Sequence, residues 1–144
     1  MTDFLLTHAQ TIVAEALAHG RKSGFQPLAV AVLDARGALK AFAAEDGTSL
    51  KRGEIARGKA FGALAMGLGS RALHRMAGER PHFVEALHGV VEGPLVPVPG
   101  GVLIRDASGR LLGAVGISGD TSDNDEAAAL AGIAAVKLTA DPGQ

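Results

Sequence analysis

The sequence predicts an α+β fold, one antiparallel sheet covered by helices, and three observations predict it. Two pairs of apolar runs each flank a short turn ending in Gly, Asp34-Ala35-Arg36-Gly37 and Asp106-Ala107-Ser108-Gly109, which is hairpin chemistry and demands antiparallel pairing. The first two dozen residues carry apolar side chains at helical spacing. A closing Ala-rich segment begins with a cluster of acids, as helix N-termini do.

In order along the chain, Leu5, Ala9, Ile12, Val13, Ala16 and Leu17 form one stripe at 100° per residue, and Gly20 and Gly24 mark the end of that helix. Pro27 opens a buried strand over Leu28 to Leu33, and Leu39 to Ala44 is the returning strand. Asp46-Gly47 breaks it, and Thr48 or Ser49 caps a second helix running to about Met66. That helix carries Gly53, Gly58, Gly62 and Gly67, each of which costs helix stability relative to Ala. Close packing explains them first; a backbone face left bare for a flat ligand is the alternative. Ser70 to His88 reads as one or two short helices with Pro81 at a start. Glu92 to Gly101, with Pro94, Pro97 and Pro99, is a constrained loop or an edge strand. Val102 to Arg105 and Leu111 to Ile117 form the second hairpin. Ser122 then caps the last helix, and Asp141 to Gln144 read as a loose tail.

Composition narrows the function. With five Phe and no Trp or Tyr, the core is aliphatic and base stacking has few partners, which argues against single-stranded nucleic acid. A net charge of −1 without a basic stripe argues against duplex DNA. The absence of Cys excludes disulfides, thiolate metal sites, Cys nucleophiles and covalent c-type haem attachment. The segment Met1-Thr2-Asp3-Phe4 lacks the basic and apolar regions of a leader, and no apolar run approaches a membrane span, so a cytoplasmic location is expected.

No Walker A loop, dinucleotide fingerprint, nucleophile elbow, HExxH or EF-hand pattern is present. His8 and His19 lie about 16 Å apart along a helix, so with Glu15 they read as a polar edge rather than one metal site. His74, His82 and His88 cluster in the middle segment, and imidazole is a common ligand of haem iron. Arg71 and Arg75, one turn apart, are suited to carboxylates. Met66 and Met76 read as core filling. Asp123, Asp125 and Glu126 are explained by helix capping, and Asp46 and Asp120 by turn chemistry.

Several segments together resemble the GlcG/HbpS family, also seen as the C-terminal domain of PduO-type proteins. They are Leu28-Ala29-Val30-Ala31-Val32-Leu33-Asp34-Ala35-Arg36-Gly37-Ala38-Leu39; Asp46-Gly47; Gly58-Lys59-Ala60 with Ala63; Pro99-Gly100-Gly101; Gly109 with Leu112-Gly113-Ala114-Val115-Gly116-Ile117-Ser118-Gly119; and Asp125-Glu126. The combination carries the resemblance, across nearly the whole chain. It implies a profilin-like, five-stranded antiparallel sheet flanked by helices, homo-oligomers from dimer to octamer, and haem, corrinoid or iron as ligands of some members. Two departures stand out: Arg52 where a Ser commonly follows the Asp-Gly, and Gly100-Gly101-Val102-Leu103-Ile104 where the family's pattern has Pro before the Ile.

The leading expectation is a non-enzymatic protein that binds haem or a related tetrapyrrole. Its site would be a flat apolar pocket near the Gly-rich second helix, the His74–His88 segment and the Pro99–Gly101 loop. His74, His82 or His88 would hold iron, Arg52, Arg71 or Arg75 would meet propionates, and Gly100 and Gly101 would border the ligand; no metal site is assigned outside this. The second expectation is an enzyme or accessory protein for a small hydroxy- or keto-acid, built on Asp46, Arg52, Arg57, Ser118 and Asp120. The third is a ligand-free oligomeric scaffold, motivated by a mean hydropathy of +0.23. No nucleic acid or membrane partner is expected.

Overall fold

The computed structural model describes residues 3–144; Met1 and Thr2, where the leader reading starts, lie outside the described residues. Helix α1 (Leu6–Ser23) buries Ala9, Ile12, Val13, Ala16 and Gly20, the stripe expected, while Leu5 stays exposed just before it. The Leu5 N–H donates to His8 Nδ1 at 2.9 Å, so His8 satisfies an end of its own helix. Gly24 ends α1 in the left-handed region at φ 73°.

Strands β1 (Ala29–Asp34) and β2 (Leu39–Ala44) form the first hairpin. Asp34 shapes its turn by accepting from the N–H groups of Arg36 and Ala38. Helix α2 (Arg52–Met66) begins later than expected: Lys51 is its N-cap and supplies no side-chain cap, so neither Thr48 nor Ser49 does that work. The middle segment is two helices, α3 (Ser70–Glu79) and α4 (Pro81–Leu87), with Pro81 at the start of the second. Strands β3 (Gly101–Arg105) and β4 (Leu111–Ser118) make the second hairpin, whose turn is tied by Asp106 to the Ser108 and Arg110 N–H groups. Helix α5 (Ser122–Ala135) is capped by Thr121, whose hydroxyl accepts from the Asn124 N–H, rather than by Ser122.

All pairings are antiparallel, in the order β2-β1-β4-β3-β5. The fifth strand is β5 (Thr139–Asp141), paired to β3, and the Pro-rich stretch before β3 is a loop. The expected loose tail is therefore structured. The Arg71 N–H donates to the Pro142 carbonyl, the Arg75 guanidinium to the Gly143 carbonyl, and Gly143 is buried.

Helices α1 and α5 cover one face through Ile12, Leu28, Val30, Val32, Val115, Ile117 and Ile133, an all-aliphatic core as composition dictates. Helix α2 covers the other mainly with small residues, Ala56, Ala60 and Ala63, against Ala29, Ala31, Leu33, Leu103 and Ala114, with Lys59 buried on the same stripe. Small residues on both sides bring helix and sheet backbones together, closely enough that a Cβ on Gly116 would strike the Ala56 carbonyl. The helix glycines are likewise filled. A Cβ on Gly58 would meet Val96 at 2.7 Å, and one on Gly62 would meet Leu95 at 2.5 Å. Close packing thus accounts for the glycines inside the helix, by the Pro94–Val96 loop at Gly58 and Gly62 and by the Phe42 ring at Gly53, while Gly67 is the left-handed C-cap at φ 68°; the bare face for a flat ligand is absent along Gly53, Gly58 and Gly62.

Candidate functional site

Three places combine polar chemistry with open or strategic position. The first is buried, at the end of the sheet where β4 gives way to α5. Lys59 follows Ala56 by three residues on the stripe of α2 that faces the sheet, so its side chain enters the interior. Its Nζ donates to the Ile117 carbonyl at 2.9 Å and pairs with Asp125 Oδ2 at 3.1 Å, with only 2% of Lys59 and 1% of Asp125 exposed. Burial pulls the Lys59 ammonium below its ordinary range, opposed by Asp125, and burial pushes the Asp125 carboxyl up, opposed by Lys59. The other Asp125 oxygen accepts from the Asp120 N–H at 2.9 Å. Beside this pair the Arg52 guanidinium donates to Ser118 Oγ at 3.2 Å. Among the described residues no buried side-chain polar atom is left without a partner, so the buried Lys59–Asp125 pair is held by groups of the chain itself.

Asp120 completes the same corner. Its carboxylate accepts from the Gln26 N–H at 2.7 Å, the Thr121 N–H at 2.8 Å and Asn124 Nδ2 at 2.7 Å. The Gln26 bond, then those of Asn124 and Thr121, hold its pKa below the ordinary carboxylate value. A depressed folded-state pKa contributes stability above about pH 4, and that contribution disappears as pH falls through the folded value. The Asp120→Asn variant is therefore expected to lose less stability than the parent on acidification below that point, measured as urea midpoint against pH.

The second place is the α3–α4 arm. Its core is Leu73, Val84, Leu87 and Leu95, and Met66, Met76, Phe83 and Val91 are only half-buried around it. His74, His82 and His88 all lie exposed on this arm, and the Arg80 guanidinium stacks 4.1 Å from the Phe83 ring centroid. The third is the free edge of β2, where two clefts open. One of about 240 Å³ is lined by Leu6, Gln10, Val13, Lys40, Ala41 and Phe42. The other, about 420 Å³, is lined by Arg21, Pro27, Ala44, Glu45 and Asp46. Among the described residues no group of three His, Asp or Glu side chains is placed to hold a metal ion, and no helix is long and apolar enough to cross a membrane.

A family model described as "haem degrading protein HbpS-like" matches residues 4–134. The chain belongs to this family. The HbpS-like chain also superposes on solved structures over most of its length. HbpS shares 26% identity at TM-score 0.80, with 94% of this chain and 92% of that one covered. The crystal structure of a PduOC–haem complex shares 24% identity at TM-score 0.85, covering 99% and 100%. ORFY of Klebsiella pneumoniae shares 20% identity at TM-score 0.79, covering 95% and 93%. The latter two likenesses are of fold. No curated protein matches the sequence.

Within the HbpS-like chain, the residues singled out from sequence are distributed as follows. His74, His82 and His88 share the α3–α4 arm. Arg75, exposed on α3, gives one guanidinium nitrogen to the Gly143 carbonyl. Arg71 is committed: it pairs with Asp123 and with Glu126, and those hydrogen bonds raise its already high pKa. This corrects the capping account of the acids. Asp125 and Glu126 are 1% and 4% exposed and serve cations of α2 and α3. Gly100 and Gly101 are buried against Lys59 and Ser70, the Gly101 N–H donating to Ser70 Oγ at 2.7 Å, and so line no open pocket. Arg52 belongs to the buried corner with Ser118. Of the small-acid set, Arg57 is exposed on α2, Asp46 lines the larger cleft, and Asp120 is spent on backbone. The Lys59–Asp125 pair was missed, although Ala56, Lys59, Ala60 and Ala63 follow the spacing of a buried stripe with Lys59 in it.

Proposed function

We propose that this HbpS-like chain binds haem or a related tetrapyrrole on the α3–α4 arm, with an imidazole of His74, His82 or His88 holding the iron. The observation that carries the reading is the arm itself. It joins three exposed imidazoles to an incompletely covered apolar cluster, with Arg75 on α3 and Arg80 at the junction of α3 and α4. These are the group kinds a haem uses: a nitrogen ligand, an apolar floor for the macrocycle and cations for propionates. Met76, Phe83 and Val91 would form the floor, and the two arginines would bind the carboxylates. Haem, when bound, supplies a redox-active iron centre; the chain's residues hold and orient it and keep water from one porphyrin face. Membership of the family and the likeness to HbpS support the reading. Arg52 and Arg71 are left out of this site because they lie half-buried against Ser118 and against Glu126 and Asp123, and Gly100 and Gly101 because they are buried, whereas Arg75 is exposed.

The test is a haemin titration followed by absorbance on the parent and on His74→Ala, His82→Ala and His88→Ala. Saturable binding with a sharp Soret band is expected, with one substitution lowering affinity at least about tenfold, as loss of a metal-ligating or supporting group does. Weak, non-saturating binding indifferent to all three variants would sink the reading.

A further inference from the structure

Helix α4 packs on one other element alone, α3. It is seven residues long, too short to hold its shape without packing. It buries two side chains, Val84 and Leu87. These join Leu73 of α3 and Leu95 of the loop before β3 in a cluster of their own, apart from the cores on the two faces of the sheet. Among the described residues no side chain from Pro81 to Glu92 enters an ion pair, and the backbone turns of this stretch close on residues within it or on Arg80. Apolar contact is what holds α4 down.

Both ends of the segment can act as hinges, and both flanks are anchored. Arg80 ends α3 and begins α4 at φ −136° and ψ 65°, and no side chain caps either helix there. At the far end Glu92 takes φ 53°, a left-handed conformation that costs a residue bearing a Cβ. Beyond it the chain is fixed: a Cβ on Gly93 would strike the Phe61 ring of α2 at 2.4 Å, and Leu95 and Val96 lie against Gly62 and Gly58. On the other side, α3 is fastened by Ser70 to the Gly101 N–H, by Arg71 to Glu126 and Asp123, and by Arg75 to the Gly143 carbonyl.

We infer that α4 is a flap that turns on Arg80 and Glu92, and that it lifts to seat the macrocycle against Leu73, Met76 and Leu95. The inference rests on the haem reading of the arm given above. In the free protein Val84 and Leu87 cover that apolar ground and keep water from it. His82 travels with the flap, while His74 stays on the anchored helix.

Hydrogen exchange of the free protein, read peptide by peptide by mass spectrometry, and stopped-flow haemin association test this together. Residues 81–92 are expected to exchange through an opening that leaves β1 and β4 protected. Leu87→Ala removes a side chain that holds the flap down, so exchange across 81–92 and the rate of haemin association should both rise at least about tenfold. Glu92→Gly relieves the left-handed residue of the closed position, so both should fall about fivefold. Neither variant should alter exchange in β1 or β4. Saturable haemin binding with 81–92 exchanging as slowly as β1 and β4 would overturn the flap alone. So would an association rate that ignores both variants while exchange follows them. A parent that binds no haemin saturably would overturn the haem reading, and with it the use given to the opening.

Discussion

Lys59→Met is expected to destabilise the protein by about 3–5 kcal/mol, the cost of breaking a buried ion pair by removing one partner. For a chain of this size that is roughly 6–20 °C in Tm. The ammonium has two partners, the Asp125 carboxylate and the Ile117 carbonyl, and neither has water to replace it, since Asp125 is 1% exposed. Methionine has nearly the same length and fills the channel, so the loss is electrostatic rather than a cavity. The pH dependence separates this from simple packing damage. Without Lys59 the Asp125 carboxyl, already pushed up by burial, rises further. A folded-state pKa above the unfolded one adds no cost where the group is protonated and full cost above it. The deficit of Lys59→Met relative to the parent should therefore be larger at neutral pH than near pH 5, as read from urea midpoints. A deficit that does not change with pH would contradict the assignment. Replacing the pair together, Lys59→Met with Asp125→Leu, should recover much of the loss, because no charge is then stranded.

Gly116→Ala is expected to cost about 3 kcal/mol, the upper part of the range for overpacking. Gly116 sits in the central strand, paired with Ala31 on one side and Gly101 on the other, and a methyl group there points at the Ala56 carbonyl of α2. A side chain could rotate away, but a helix backbone cannot. Helix α2 must lift from the sheet, and the contact among Ala29, Ala31 and Ala56 opens with it. Gly116→Val should go further and prevent accumulation of folded protein. Gly78→Ala is the control: a Cβ there meets nothing within 4 Å on α3, and it should stabilise by up to about 1 kcal/mol. Thermal unfolding of the three variants, with Gly116→Ala no less stable than the parent, would refute the close-packing account.

The hairpins were legible because their information is local. Asp34 and Asp106 fold their own turns through hydrogen bonds to N–H groups two and four residues on, and apolar runs flank them. The fold class followed, and the combination of segments gave the family. Strand β5 was illegible because Thr139-Ala140-Asp141 has no apolar pattern of its own. It is a strand because Leu103, Ile104 and Arg105 offer it an edge and because Gly143 lodges against Gly69 and Ala72. The imidazoles could be assigned to one segment from sequence, and they share one arm, but the fate of the arginines could not be read. Arg71 finds Glu126 and Asp123 more than fifty residues away in the chain, and no spacing rule anticipates a partner at that distance.

The strand order carries a kinetic consequence. The central pair of the sheet, β1 with β4, joins segments roughly eighty residues apart or more, and α1 packs on α5 from the opposite end of the sequence. The first hairpin forms from neighbours in the chain, but it gains its place in the sheet only when β4 arrives. Until then the inner edge of β1, with Ala29 to Leu33 all destined for burial, has nothing beside it. Such a chain has a high contact order, folds in milliseconds to seconds rather than microseconds, and while it is being synthesised exposes an aliphatic strand edge longer than a helical protein of equal length ever does.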